Sequence, residues 1–264
     1  MKLGIIGFGN MAEAILGGIL ENGFIAKEDV MTSGKDEVML QRASEKYGIA
    51  VNEDNKKVVE GADVILLSVK PQIMAEVIAE IKDVCSQDKL IISIAAGKSK
   101  QWIADAFGCS HKIVRCMPNT PALVGEGCTG ICFSDSVTEE EKAYALKLFS
   151  CVGKAQEVPE KLMDVVVGVS GSAPAYVFLF IEAMADAAVE MGMPRKQAYT
   201  FAAQAVMGSA KLMLESGKHP GELKDMVCSP GGTTIEGVRM LEEHGMRGAV
   251  MDAVKATVDK AKQL

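Results

Sequence analysis

The chain has 264 residues, of which 48% are hydrophobic and 24% are charged, and this composition is typical of a folded globular protein. The length favours two domains over one. The net charge of -7 argues against a nucleic-acid-binding surface, which needs clustered lysines and arginines. The seven cysteines are odd in number and contain no Cys-x-x-Cys pair, so they indicate reduced thiols rather than disulfides or a zinc site.

The sequence predicts a cytoplasmic protein without a membrane segment. Its N-terminus enters a strand pattern directly, with no basic region followed by a cleavable apolar stretch. The most apolar long segment, residues 165–188, is interrupted by Gly171 and Pro174 and by two acidic side chains. We therefore expect no transmembrane helix and no membrane partner.

Strand and helix patterns alternate through the first half of the chain. The first strand, Lys2 to Ile6, is followed by helical spacing from Asn10 to Leu20. Further strands are predicted at 29–32, 63–69, 90–95 and 112–116, with helices that include 35–46, which Gly48 ends, and 73–84. The uninterrupted apolar strands are typical of a sheet covered by helices on both faces. Residues 1–158 are therefore predicted to form a Rossmann-type, doubly wound parallel α/β domain.

The second half, residues 159–264, reads as helical. Segments such as 183–189 and 201–214 are rich in small and unbranched apolar residues at helical spacing. A helix that is apolar on most sides must be buried on most sides. About one hundred residues of helix provide few places for such burial, so we expect a homodimer formed through this half.

A glycine turn follows the first strand and predicts dinucleotide binding. Gly7 permits a tight turn, Gly9 permits close approach of a pyrophosphate, and the small Ala12 lets the helix pack on the strand. The helix that begins near Asn10 presents free N–H groups and a positive dipole end to the phosphates. The predicted contacts of this turn are Gly7, Phe8, Gly9, Asn10, Met11 and Ala12. The alternative is a glycine-rich turn without a ligand.

The end of the second strand bears on the choice of dinucleotide. An acidic residue there would bind the ribose 2′-hydroxyl of NADH, whereas this chain has Ser33 and Lys35, which can hold the 2′-phosphate of NADPH. NADPH is therefore favoured. Asp36 and Glu37 follow directly and keep NADH possible, and Lys35 can also be a solvated helix-start residue.

Two further strand ends are predicted to face the cofactor. Ser68, Val69, Lys70 and Pro71 end one strand, with Pro71 suited to the first turn of the next helix. Small residues that would leave room for a nicotinamide ring end the next strand, namely Ala95, Ala96 and Gly97. A proline-stiffened loop at 117–121 follows the strand after that. Solvent exposure of Lys70 and turn formation by the prolines are the alternatives.

A second glycine turn lies in the helical half, at Ser229 to Thr234. Thr233 and Glu236 have the spacing of a capping box, which places Thr234 in the first helical turn. Consecutive backbone N–H groups and two hydroxyls there would suit a carboxylate. Helix capping without a ligand is the alternative interpretation.

Together these motifs resemble those of pyrroline-5-carboxylate reductases. The resemblance covers essentially the whole chain and includes the turn at 7–12, Val69-Lys70-Pro71, the loop at 117–121, and residues 170–176. Its most specific part runs from Pro220 to Glu242, with Leu223, residues 227–234, Gly237-Val238 and Leu241 in the family's spacing.

The resemblance implies hydride transfer from NAD(P)H to the C=N carbon of 1-pyrroline-5-carboxylate, giving L-proline, in the last step of proline biosynthesis. It implies an N-terminal Rossmann domain and a C-terminal helical domain that interlocks two protomers, often within larger rings, with the substrate bound at the dimer interface. It adds Asn55 to the cofactor contacts. It also implies a substrate set consisting of Ser229, Gly231, Gly232, Thr233 and Thr234.

Two residues are candidate catalytic groups. Thr234 is hypothesised to hydrogen-bond the ring nitrogen and relay its proton, and Lys70 to neutralise the cofactor or the substrate carboxylate. The chain has three histidines, at 111, 219 and 244, and none lies in a ligand motif. A carbonyl reductase generally needs a positioned acid–base group, most often histidine, whereas an iminium is already electrophilic. The scarcity of histidine therefore favours imine reduction.

Two other functions stay open on the sequence alone. One is a reductase of the same fold that acts on another imine or on a β-hydroxy acid. The other is a non-catalytic nucleotide-sensing protein. A metal site is not predicted, because Cys128 and Cys132 have no nearby histidine and the acidic stripe at Glu182, Asp186 and Glu190 reads as a solvated helix face.

Overall fold

The computed structural model of the chain describes residues 1–263, which form two compact units. The first, called here the sheet unit, comprises Met1–Ser172 together with the end of the chain from Thr257. The second, called the helical unit, comprises Ala173–Ala256.

The sheet unit is built on a single sheet of eight strands. The strands are β1 (Leu3–Ile6), β2 (Val30–Ser33), β3 (Ala50–Asn52), β4 (Val64–Leu67), β5 (Leu90–Ser93), β6 (Lys112–Met117), β7 (Gly127–Phe133) and β8 (Gly153–Glu157). Their order is β3-β2-β1-β4-β5-β6-β7-β8, and neighbouring strands are parallel except for β6 and β7. The first six strands have the order of a Rossmann fold, so the predicted doubly wound sheet is confirmed, with one antiparallel pair added.

Three of these strands escaped the sequence prediction, namely β3, β7 and β8. The edge strands β3 and β8 are short and largely exposed, and β8 consists mostly of small and polar residues (Gly153–Glu157). The third, β7, contains Gly127 and Gly130 and therefore lacks a continuous apolar run. Strands of these two kinds carry a weak sequence signal.

The sheet unit contains seven complete α-helices among the described residues. They are α1 (Asn10–Glu21), α2 (Glu37–Tyr47), α3 (Asn55–Glu60), α4 (Met74–Ile81), α5 (Lys100–Phe107), α6 (Glu139–Ser150) and α7 (Met163–Val166). Gly48 ends α2 in the left-handed conformation, as predicted. The prediction that Pro71 lies in the first turn of α4 was wrong. Pro71 lies in a turn closed by the N–H of Ile73, which donates to the Lys70 carbonyl at 3.1 Å, and the helix begins after it.

The core of the sheet unit lies on both faces of the sheet. On β4, Leu66 packs into the apolar cluster that contains α1, whereas Ile65 and Leu67 pack into the cluster that contains α4. All three side chains are fully buried. This alternation explains the uninterrupted apolar strands in the sequence, because both faces of a doubly wound sheet are covered.

The helical unit contains α8 (Ala173–Glu190), α9 (Arg195–Ser216), α10 (Pro220–Val227), α11 (Thr233–Glu243) and the larger part of α12 (Met246–Ala261). The helical character predicted for this half is therefore confirmed. Within residues 173–256, all of which are described, the three buried apolar residues are Ala185, Ala198 and Ala202. Many large apolar side chains are exposed, among them Phe178, Leu179, Phe201, Leu214 and Met251.

Residues 160–190 form a helical run of 31 residues that is long and apolar enough to cross a membrane by length and composition alone. The expectation that Gly171 and Pro174 would interrupt this segment was wrong. Gly171 is accommodated in a π-helical turn, Val167–Gly171, and Pro174 lies in the first turn of α8, where its missing N–H is not needed. An exposed apolar helix of this kind is also typical of a protein–protein interface.

Candidate cofactor and substrate sites

The turn between β1 and α1 has the geometry of a phosphate cradle. Gly7 has φ +88°, and its N–H donates to the Ser33 carbonyl at 2.8 Å. A Cβ there would lie 2.7 Å from Cγ1 of Val69, so the position requires glycine. A Cβ on Gly9 would meet no heavy atom of residues 1–263 within 4 Å, so the space in front of this residue is open. Gly9 caps α1 without a side-chain hydrogen bond from the described residues, which leaves the N–H groups of the first turn available for an anion.

A cavity of about 690 Å³ opens in front of this turn, at the carboxyl ends of β1, β2 and β4. Its lining includes nine of the predicted cofactor residues: Gly7, Phe8, Gly9, Asn10, Lys35, Asn55, Ser68, Val69 and Lys70. In doubly wound sheets, ligands bind outside the carboxyl ends of the strands. The open glycine turn, the free helix N-terminus and the shape of the cavity fit a dinucleotide.

The other predicted cofactor residues lie around the cavity or behind it. Met11 and Pro71 are half-buried beside its walls, and Ala12 is fully buried in the core, where it packs α1 against the sheet. Ala95, Ala96 and Gly97 follow β5 and lie outside the cavity lining. Ala95 is buried and the other two are half-buried.

Ser33 has no exposed surface, and its hydroxyl donates to Oδ1 of Asn55 at 2.7 Å. In this conformation Ser33 does not line the cavity itself but orients Asn55, which does. Nδ2 of Asn55 in turn donates to Oε2 of Glu80 at 3.0 Å. Lys35 lies at the cavity rim, and its ammonium group pairs with Glu76 at 3.0 Å. Asp36 caps α2 by accepting hydrogen bonds from the N–H groups of its first turn.

Glu76 and Glu80 were not identified from the sequence. They lie one turn apart on α4 and read as ordinary helix-surface acids. Their relevance follows from tertiary contacts with Lys35 and Asn55, which are 41 and 25 residues distant along the chain.

The proline-rich loop after β6 is held by Asn119, a nearly buried residue. Its Nδ2 donates to the Ser170 carbonyl in the π-helical turn at 3.0 Å, and its Oδ1 accepts from the N–H of Cys128 at 2.8 Å. The side chain thereby ties this loop to β7 and to the π-helical turn. The loop is stiffened by this residue as well as by its prolines.

The second glycine turn lies in the helical unit and is exposed. Gly231 has φ +69°, and the N–H of Gly232 donates to the Ser229 carbonyl at 3.0 Å. The predicted capping box of Thr233 and Glu236 was wrong. Gly232 takes the N-cap position of α11 with an extended backbone and Thr233 is already helical, while the Glu236 carboxylate accepts from Arg239 at 3.1 Å.

The absence of a side-chain cap on α11 among the described residues has a chemical consequence. The first-turn N–H groups beside Thr233 and Thr234 have no side-chain acceptor in the part of the chain described, and the positive end of the helix dipole points the same way. Thr234 is exposed in this first turn. The turn can therefore bind a small anion such as a carboxylate.

The three histidines have structural environments. His111 is 2% exposed, and neither ring nitrogen has a hydrogen-bond partner among residues 1–263. His219 caps α10 through Nδ1, which accepts from the N–H of Gly221, and Nδ1 of His244 lies 2.8 Å from the Met240 carbonyl. None of these three lines the dinucleotide cavity.

A Rossmann sheet with this phosphate cradle, joined in one chain to a helical unit with a free anion-binding turn, defines a nicotinamide-dinucleotide-dependent oxidoreductase. Comparison with known families narrows this class. Residues 160–264 match the family model for pyrroline-5-carboxylate reductase dimerisation, and residues 2–97 match that for NADP oxidoreductase, coenzyme F420-dependent.

Individual relatives agree over their full length. The pyrroline-5-carboxylate reductase of Escherichia coli K12 is 51% identical over 263 residues, which is 100% of this chain and 98% of that protein. The structure of a pyrroline-5-carboxylate reductase from Coxiella burnetii superposes with a TM-score of 0.94 at 34% identity, covering 99% of this chain and 97% of that one. That of the Plasmodium falciparum pyrroline carboxylate reductase with NADP bound gives 0.90 at 35% identity, covering 100% and 97%. The chain belongs to the pyrroline-5-carboxylate reductase family.

Proposed function

We propose that the chain reduces 1-pyrroline-5-carboxylate to L-proline with NADPH, or with NADH, in the last step of proline biosynthesis. The observation that carries this proposal is the presence of two glycine turns, each opening a helix N-terminus to an anion, in a chain related over its whole length to reductases of that name.

The sheet unit binds the cofactor in the cavity at Gly7 to Asn10. The first-turn N–H groups of α1 hold the pyrophosphate, and the bare backbone at Gly9 lets it approach. Asn55 and Lys35 face the adenine ribose, and Lys70, which is exposed in the cavity wall, faces the phosphates or the substrate carboxylate. When bound, the reduced nicotinamide supplies the hydride.

The helical unit binds the substrate through the second turn. Backbone N–H groups at Gly231 and Thr233 hold the carboxylate together with the hydroxyl of Ser229, at the positive end of α11, while the N–H of Gly232 closes the turn on the Ser229 carbonyl. The hydroxyl of Thr234 hydrogen-bonds the ring nitrogen and relays a proton to it from solvent, which gives the iminium to whose carbon the hydride adds. Positioning and charge stabilisation do most of the catalytic work, since an iminium needs no activation by a strong acid.

The environments of the histidines support an imine as the substrate. Two of the three serve helix ends and the third is buried among apolar groups, so none is placed as the acid–base group that a carbonyl reductase generally uses. Ser229, Thr233 and Thr234 place hydroxyl groups in the proposed substrate turn.

A cofactor-oxidation assay tests the proposal. Loss of reduced-nicotinamide absorbance with 1-pyrroline-5-carboxylate, and formation of L-proline, is the expected result. Activity with another imine or with a β-hydroxy acid, but not with pyrroline-5-carboxylate, would replace the proposed substrate. Binding of NADPH without any oxidation would instead support the nucleotide-sensing function.

We further propose that the homodimer forms through α8 and α9, that dimers assemble into larger rings, and that the protein works in the cytoplasm without a membrane or nucleic-acid partner. The exposed apolar side chains of the helical unit support a homodimer through α8 and α9, because such surface is normally covered in solution. Light scattering tests it: a monomeric mass at micromolar concentration would contradict the dimer, and a dimeric mass would contradict the rings.

A further inference from the structure

The adenine-ribose end of the cofactor cavity has an unusual arrangement of charge. In dinucleotide-binding sheets, an acidic residue at the end of the second strand commonly binds the ribose 2′-hydroxyl. Here β2 ends in Ser33, which is fully buried and engaged with Asn55. Neither of these two side chains is charged, so the charge near the ribose comes from elsewhere.

Charged side chains of the cavity lining include Lys35, Asp36, Glu53 and Glu80, and Glu76 of α4 lies beside it. Glu80 lines the cavity and accepts from Nδ2 of Asn55 at 3.0 Å. Glu76 does not line the cavity, but its Oε1 lies 3.0 Å from Nζ of Lys35, which does. Lys35, a cation of the cavity lining, is therefore paired with a carboxylate that lies outside that lining.

The electrostatics of this group favour one cofactor form over the other. The hydrogen bond that Lys35 donates to Glu76 raises the pKa of Lys35, with the charges of Glu76 and Glu80 acting in the same direction. A 2′-phosphate must compete with Glu76 for Lys35 and lies in the field of Glu80. A 2′-hydroxyl carries no charge, so it neither needs Lys35 nor is repelled by Glu80, and it can donate a hydrogen bond to a carboxylate.

We propose that Glu76 is a positioning residue for Lys35. The Glu76 carboxylate holds the ammonium group of Lys35 away from the 2′-phosphate position and so lowers the preference for NADPH over NADH. The inference rests on the proposed function only in taking the cofactor to be NAD(P)H.

The first test is Glu76→Gln, which keeps the size of the side chain and removes its charge. The ratio of kcat/KM for NADPH to that for NADH should rise about three- to fivefold, the size expected for an exposed ion pair. The rise should come from a lower KM for NADPH, with kcat unchanged. The Kd of NADPH, measured by fluorescence without substrate, should fall by the same factor while that of NADH stays constant. High salt should reduce the effect.

The matched control is Glu139→Gln on α6. Glu139 forms an ion pair with Lys142 at 2.6 Å, is 88% exposed, and is absent from the cavity lining. Its loss changes the net charge of the protein by the same amount. Both cofactor affinities should stay as in the unsubstituted protein.

A double-mutant cycle with Lys35→Ala identifies the route of the effect. In the Lys35→Ala background, Glu76→Gln should no longer change the NADPH to NADH ratio. A persistent effect in that background, an equal change for both cofactors, or no change at all would overturn the inference. A protein that binds both cofactors but does not reduce pyrroline-5-carboxylate would contradict the proposed function, and the two Kd values would still decide the role of Glu76.

Discussion

The two units of the chain bury apolar surface in opposite ways. The sheet unit encloses large side chains completely, such as Leu66 and Ile65 on β4. The helical unit buries only alanines, while Leu179 and Phe201 are 68% and 66% exposed. The sheet unit therefore completes its core within one chain, whereas the helical unit needs a second chain. The match of residues 160–264 to a dimerisation family agrees with this difference.

The two glycine turns differ in burial in the same way as the two units. The turn at Gly7 packs tightly against Val69, whereas residues 229–231 of the second turn are exposed. The cavity proposed for the cofactor is lined by residues of one chain. The turn proposed for the substrate has its backbone groups arranged but little surface around it.

The largest expected effect tests the contrast in apolar burial between the two units. Leu179→Asp places a charge on α8 in the face that we expect a second chain to cover, and in a two-fold interface the change occurs twice. Burial of an unpaired carboxylate costs several kcal/mol, about 3–5 for each. The dimer should dissociate at micromolar concentration, which sedimentation velocity measures.

The control for this substitution lies in the sheet unit. Val38 on α2 is 75% exposed, so Val38→Asp makes the same kind of change on a surface that we do not place in the interface. It should leave the dimer intact. If both variants stayed dimeric, the exposed helix faces would not be the interface.

The next effect concerns the substrate turn. Thr234→Ala should lower kcat about a hundredfold, the lower range for loss of a positioned proton-transfer group, and should leave the Kd of NADPH unchanged. Thr234→Ser retains the hydroxyl and should recover most of the activity. Equal losses of kcat and NADPH affinity in the alanine variant would argue against the role given to Thr234.

The glycine turn of the sheet unit allows the complementary test, which separates NADPH affinity from protein stability. A Cβ on Gly9 finds open space in the chain alone, so Gly9→Ala should leave the unfolding free energy nearly unchanged. It should raise the Kd of NADPH by about ten- to a hundredfold, because the methyl group occupies space that the pyrophosphate needs. Gly7→Ala, at φ +88° and against Val69, should lower both stability and affinity. Unchanged NADPH binding by Gly9→Ala would place the pyrophosphate elsewhere.

Sequence patterns predicted the parts of the fold whose signal is local. The buried strand β4 is a continuous apolar run, and the turn at Gly7 follows from backbone requirements that a few residues express. Edge strands such as β8 were missed, because an edge strand needs no apolar face. The cap of α11 was misassigned because Gly232, one residue earlier than Thr233, takes the N-cap position with its backbone alone.

The site was predictable to a similar extent. Spacing identified the residues of both glycine turns. It did not identify Glu80, which matters through a hydrogen bond to Asn55, or the burial of Ser33 beneath that residue. Which surface acid meets which strand end is decided by the packing of helices on the sheet, and no local pattern records it.

The smallest expected effect tests the completeness of the core in the sheet unit. His111 packs against Phe107 with ring centroids 4.5 Å apart, and burial lowers its pKa from 6.5. As the pH falls below 6.5, the unfolded chain binds a proton that the folded chain does not, so the free energy of unfolding decreases. The decrease ends once the pH is below the lowered pKa of the folded state, and above 6.5 this contribution is absent.

Urea unfolding at a series of pH values on both sides of 6.5 measures this slope. His111→Phe removes the titrating group and keeps an aromatic ring against Phe107, so the part of the slope due to this residue should disappear. His219→Asn replaces an exposed histidine with another good capping residue, and it should retain the pH dependence. If His111→Phe left the slope unchanged, the His111 ring would be solvated in solution. The core of the sheet unit would then be less completely closed at this position.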